Sequence, residues 1–266
     1  MKWKGRVFWL TGLLLLWLLC SGTAMAGGLS DPLRVSLRDR LAAFPDWQGK
    51  PPARVSQGDL IYPDWFAGRW QVTTTQVDMV APFAPDLVTP GFESNRQFMN
   101  QPILFPVRFV EEKKGLLDFG KKGIISDRAF NGMSLAKAYL GDRVVLAVKV
   151  DPSNPNRQIT LMRDERELAS TVTARAIESA PNLFITSELF QQEFRSVSQL
   201  YFNEVENTTA YYKQDGENPA IVADQVTAIY LSPQDADYFK TVNNPLGEPR
   251  PVALYRYRLE FVRIAN

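Results

Sequence analysis

Histidine is absent from all 266 residues, and cysteine occurs once, at Cys20. Without an imidazole there is no Ser-His-Asp or Cys-His relay, and without paired thiolates or histidines there is no usual zinc site. No metal and no cofactor is therefore expected. The chain also lacks a strong charge bias, with 30 Lys and Arg against 29 Asp and Glu. It has no run of basic residues that would mark a nucleic-acid partner. Neither a P-loop nor a G-x-G-x-x-G between strand and helix is present, which removes the usual phosphate cradles. No internal repeat of fixed period is visible.

What is present begins with an export signal. Lys2, Lys4 and Arg6 form a basic region, residues 10–19 an apolar core, and Ala24-Met25-Ala26 an A-x-A cleavage site. The core is short for a membrane span. Leu19 stands where lipoprotein processing before Cys20 would want a small residue. Residues 1–26 are thus expected to be a cleaved Sec-type signal. Cys20 leaves with it, so the mature chain must hold itself together by packing, without disulfides.

Residues 27–59 read as a short helix and a linker. Ser30-Asp31-Pro32 has the chemistry of a helix start, and Leu33, Leu37, Leu41 and Phe44 recur at helical spacing. That stripe is expected to cover one end of the main body. "GKPPARVSQGD" then reads as linker.

Residues 60–266 form the main domain, and its dominant period is two. Strands are expected at 69–80, 103–112, 143–150, 158–163, 168–178, 183–194, 199–212, 220–231 and 251–264, roughly nine in all. Short turns between them, such as Asp215-Gly216, imply an antiparallel meander. A helical piece at 133–140 follows a Gly-rich stretch, an excursion over a barrel mouth. Ser232-Pro233 with Asp235 and Asp237 predicts a helix before the last strand. In that last strand Tyr255, Tyr257, Leu259 and Phe261 share one face, and Arg256, Arg258 and Glu260 the other.

Gly68-Arg69-Trp70 opens the first long strand behind a run of aromatics, "YPDWFAGRW". With the arginines of the last strand it resembles the G-x-W signature of lipocalins and related calycin barrels. The resemblance implies an all-β, antiparallel up-and-down barrel of about eight to nine strands. It also implies a floor made by Gly68 and Trp70, with Arg256 or Arg258 lying across the indole. "LIYPDWFAGRW", "APFAPDLVTPGFESNR", "FPVRF" and "YRYRLEF" together resemble an uncharacterised exported family of cyanobacteria and plant chloroplasts. That resemblance implies the periplasm or thylakoid lumen, and no activity.

Candidate site residues follow from these readings. Val72, Phe105, Val107, Phe109, Tyr255, Tyr257 and Phe261 are candidates for the barrel interior, where they either form plain core or line a ligand pocket. Glu93, Asn95 and Arg96 stand together in "TPGFESNR", either as a recognition corner or as a self-paired loop. Asp78, in phase with Trp70, is the one candidate interior carboxylate. The leading expectation is a lipocalin-like binding protein for an apolar or amphiphilic small molecule, a lipid, quinone or pigment. The alternative is an assembly factor for a thylakoid or periplasmic protein complex. An enzyme using a carboxylate and a tyrosine comes third.

Overall fold

The computed structural model describes residues 36–87, 89, 91–112, 123–216, 218–242 and 247–264. The expected leader, the start of the expected N-terminal helix and the Gly-rich stretch lie outside the described residues. The strands are β1 (Arg54–Val55), β2 (Gly68–Val80), β3 (Pro102–Glu111), β4 (Ile124–Ser126), β5 (Val145–Asp151), β6 (Asn154–Met162), β7 (Arg166–Ala180), β8 (Leu183–Ser196), β9 (Gln199–Lys213), β10 (Ile221–Leu231) and β11 (Ala253–Arg263). The α-helices are α1 (Leu37–Ala42), α2 (Phe92–Asn95) and α3 (Arg128–Leu140). Each of the nine expected strands has its counterpart here. The two that alternation did not reveal, β1 and β4, are too short to show a period.

One curled antiparallel sheet runs β4-β3-β2-β11-β10-β9-β8-β7-β6-β5, with β1 added on β7. Read as a ring, this is the chain's own order, joined where β2 meets β11 and interrupted between β4 and β5. The sheet is therefore a curled half-barrel, the all-β, antiparallel up-and-down architecture expected from the sequence.

Helix α3 stands at the interruption and packs on β3 on one side and on β5 and β6 on the other. Its N-cap is Asp127, whose side chain accepts from the Phe130 N–H. Asn131, fully buried, then uses its amide as a strand edge would. Its Oδ1 accepts from the Arg108 N–H at 2.8 Å, and its Nδ2 donates to the Arg108 carbonyl at 3.1 Å. On the opposite flank a Cβ at Gly132 would sit 2.7 Å from Gln158 Nε2 and 3.1 Å from Val148 Cγ1. The helix is thus clasped to β3 by an amide and drawn against β5 and β6 by a missing side chain. The helical part of the expected excursion over a mouth is instead part of the wall.

The N-terminal segment covers the outer face of the sheet, not an end of the body. Leu37, Leu41 and Trp47 pack on Ile185, Val226 and Tyr230. Beneath them lies a fully buried carboxylate, Glu206. It accepts from Arg40 Nε and Nη2 at 2.7 and 2.6 Å, from Trp47 Nε1 at 3.1 Å and from the Thr208 hydroxyl at 2.7 Å. Part of the supposed linker is ordered too, as β1 pairs with β7 and Ser56 bonds beside the β7 bulge. The helix expected before β11 is a set of turns ending in a 3-10 helix, Tyr238–Thr241. Ser232 Oγ accepts from the Gln234 N–H and Asp235 Oδ1 from the Asp237 N–H, so the side chains capture the donors locally.

Candidate functional site

The interior of the half-barrel divides into an apolar end and a polar belt. The apolar end is built by the entrance motif. A 3-10 turn at Asp64–Phe66 delivers the Phe66 carbonyl to Trp70 Nε1 at 2.7 Å. Tyr62, Phe66, Phe109, Phe184 and Tyr211 then interlock, with centroids 4.7 Å apart for Tyr62–Phe109 and 5.1 Å for Phe66–Tyr211. Val72, Phe105, Val107, Phe109 and Phe261, all expected to face inward, are buried in or beside this packing. That end is filled by side chains.

The guanidinium over Trp70 belongs to Arg263, 4.3 Å from the ring centroid. Arg256 and Arg258 do not cap the indole. Arg256 pairs with Asp224 at 2.6 Å and lies over Phe44 on the outer face, and Arg258 pairs with Glu260 at 2.8 Å. The reason is phase, since Tyr255, Tyr257 and Phe261 point inward and Arg263 shares their parity. Gly68 serves this arrangement directly: its φ is +113°, and a Cβ there would sit 2.9 Å from Arg263 Nη1.

Above the apolar end the sheet turns its polar side chains inward in two adjacent rows. Arg175, Glu188, Asn207, Thr227 and Tyr255 are successive cross-strand partners from β7 to β11. One step along lie Thr186, Thr209, Gln225, Tyr257 and Gln76. At one end Arg175 and Glu188, both almost fully buried, pair at 2.6 Å, and Arg175 Nη2 also donates to Asn156 Oδ1 at 3.0 Å. In the middle Thr209 donates to Gln225, Gln225 to Thr227, and Thr227 to Asn207, at 2.7 to 3.1 Å.

At the other end the chain of bonds stops short. Tyr255 and Tyr257 hydroxyls, Gln76 Oε1, Thr74 Oγ1 and the whole Asn95 amide are buried without a hydrogen bond of good geometry among the described residues. These groups belong together. Tyr257 is the cross-strand partner of Gln76, Thr74 precedes Gln76 on the same face, and Phe92, three residues before Asn95, packs on Tyr255. Burial pushes the Tyr255 hydroxyl well up, with Asn95 beside it offsetting part of the rise. Tyr257 is pushed up by burial and by the neighbouring Tyr139 and Tyr255. Tyr139, from the end of α3, is raised by burial as well, with Thr74 opposing. Phe98 packs on Tyr139 with ring centroids 5.7 Å apart, and Gln76 Nε2 donates to Met99 Sδ at 3.2 Å.

The "TPGFESNR" loop splits accordingly. Asn95 is fully buried in the cluster, while Glu93 and Arg96 are exposed and bond each other twice at 3.0 Å. Asp78 does not face inward, because a bulge in the β2–β11 pairing shifts the phase after Gln76, and its Oδ1 accepts from the Met79 N–H. A third polar row, Ser170, Gln192 and Asn203 across β7 to β9, also carries buried atoms without a partner among the described residues. The polar rows escaped sequence reading because Thr, Gln and Asn at alternate positions look like a solvent face. Burial on both strand faces was the missing information.

No curated protein and no solved structure matches the chain. A family model does match, over residues 54–265, which span everything from β1 to the end of β11. With Trp70, Arg263, the inward tyrosines and α3 all inside that stretch, the chain belongs to the family described as Domain of unknown function DUF6816.

Proposed function

We propose that the protein is a non-enzymatic binding protein whose half-barrel holds one amphiphilic small molecule, with a hydrogen-bonding group of that molecule seated among Tyr255, Tyr257, Asn95, Gln76 and Thr74. The observation that carries this is the gathering at one place of buried hydrogen-bonding atoms that lack a well-formed bond, the Tyr257 hydroxyl and Gln76 Oε1 foremost, since Tyr255 has Asn95 beside it and Thr74 has Tyr139. A buried polar group without a partner costs about 1–3 kcal/mol, so several together oppose folding unless something else satisfies them. The raised tyrosines stay protonated and serve as donors, which suits recognition better than proton abstraction. An uncharged set of hydroxyls and amides matches the oxygen functions of lipids, quinones and pigments. The lipocalin resemblance agrees with a ligand held inside the sheet. The setting this reading assumes is the periplasm or thylakoid lumen of a photosynthetic host, reached through the leader.

Native mass spectrometry with organic extraction and an absorbance scan tests it, on the mature protein purified from a photosynthetic host. The wild type should carry a stoichiometric lipid, quinone or pigment. Tyr257→Phe should bind it at least about tenfold more weakly while the empty protein is as stable as the wild type or more so, because an unmet hydroxyl has been removed. A clean apo mass that persists after incubation with total thylakoid lipid and pigment extract overturns the proposal.

A further inference from the structure

Helix α3 buries an arginine at its first residue. Arg128 has a side chain only 2 % exposed, and its Nε donates to Asp59 Oδ1 at 3.1 Å. Nη1 and Nη2 are both buried and neither has a hydrogen-bond partner among the described residues. The edge that remains is the end-on fork of the guanidinium, two parallel N–H donors set to meet two oxygens of one planar or tetrahedral anion.

Asp59 does not exhaust this charge. It engages one nitrogen, and burial, the largest influence on it, pushes its carboxyl above the usual range against the pull of Arg128 and Arg175. The nearby Arg175 is already committed to Glu188 and Asn156. Leaving a cationic fork desolvated and unmatched is expensive, and such a group is ordinarily found opposite an anion. The N-terminus of α3 adds a favourable dipole there, as a supplement to the side chain and not in its place.

The placement relates Arg128 to the tyrosine cluster. Arg128 belongs to the buried stripe of α3 that continues through Asn131, Leu135 and Ala136. Tyr139 lies just over three turns further on, so it returns to nearly the same side of the helix, about 16 Å away along the axis. One helix therefore carries a cationic fork near its start and joins the hydrogen-bonding cluster near its end.

We propose that Arg128 receives an oxyanion, a carboxylate or phosphate at one end of the amphiphile, so that the ligand is an acid and not a neutral lipid. This rests on the binding reading given above, and it deepens that reading by naming the ligand's charge.

The experiment compares oleate, oleyl phosphate and methyl oleate by native mass spectrometry titration, with the mature wild-type protein and the variants Arg128→Gln, Arg128→Lys and Asp59→Asn. The wild type should prefer an acid over the ester by at least about tenfold, the scale of one buried charge pair. Whichever acid binds more tightly identifies the anion as carboxylate or phosphate. Arg128→Gln should abolish the preference and Arg128→Lys, which keeps the charge without the fork, should reduce it. Asp59→Asn leaves the guanidinium in place and should strengthen the preference, which keeps the test intact if the Arg128 variants do not fold. Equal affinity of the wild type for acids and ester overturns the role of Arg128 and leaves the binding reading standing. Failure of all three molecules to bind, together with a clean apo mass after incubation with total thylakoid lipid and pigment extract, overturns both.

Discussion

Arg263 lies over the Trp70 indole, 4.3 Å from its centroid, with its Nη1 2.9 Å from where a Cβ at position 68 would sit. The two residues face each other across the β11–β2 ladder, so the last strand is fastened to the first long strand by its final inward side chain. Gly68→Ala should destabilise the fold by about 1–3 kcal/mol, chiefly through the positive φ, since the guanidinium can swing away from the new Cβ. Arg263→Ala removes the cation–π contact together with the exposed bond from Nη1 to the Ala67 carbonyl at 2.9 Å, and should cost about 0.5–1.5 kcal/mol. Urea unfolding of both variants checks the order; an Arg263→Ala loss larger than the Gly68→Ala loss would contradict it.

Asn131 replaces a strand at the edge of β3. Asn131→Ala should cost about 1–3 kcal/mol by leaving the Arg108 N–H unpaired in a buried seam, although Asp127 still serves the Arg108 carbonyl. Hydrogen exchange at the Arg108 amide should accelerate while exchange in β8 and β9 is unchanged. Uniform acceleration across the sheet would mean that the amide acts on the whole fold and not on the seam.

Glu206 ties the N-terminal segment to the outer face. Arg40→Met strands the carboxylate and should destabilise the protein by about 3–5 kcal/mol, whereas Arg40→Met combined with Glu206→Gln should recover most of the loss. Thermal unfolding of the single and double variants measures this. A double variant as unstable as Arg40→Met would show that packing on Trp47 matters more than the ion pair.

The buried tyrosines set an alkaline limit. Burial, the leading cause in each case, raises Tyr139, Tyr211, Tyr230, Tyr255 and Tyr257, and pushes Tyr201 up to about 12, from an ordinary value of 10.0. The folded state holds these protons more tightly than the unfolded chain, so their contribution is complete below pH 10 and falls as pH rises above it. Tyrosinate absorbance should therefore develop in two stages, an early one from exposed rings and a late one coincident with loss of circular dichroism. A single early stage in the folded protein would be the contrary result.

Much of the frame was legible in the residues. The long strands announced themselves because a half-buried strand must alternate, and Trp70 was marked by the glycine two positions before it. Three things were hidden, each for a physical reason. Arg263 ends its strand and looks like an ordinary exposed terminus, yet parity with Tyr255 places it on the indole side. A bulge after Gln76 turned Asp78 outward, and a phase shift of one residue leaves no mark in composition. The inward Thr, Gln and Asn rows have the same alternation as a solvated face, so only the N-terminal segment packed on the opposite side reveals which face is which.

The seam between β4 and β5 bears on how the family can vary. In a closed barrel, circumference changes only by whole strands and whole steps of register, because the ladder is continuous. Here one stave is a helix, held by an amide on one flank and by the absence of a side chain at Gly132 on the other. Circumference is then set by side-chain volume along that stave, a quantity that single substitutions adjust in increments of a methyl group. The interior of such a sheet can be resized gradually, without re-threading a single strand.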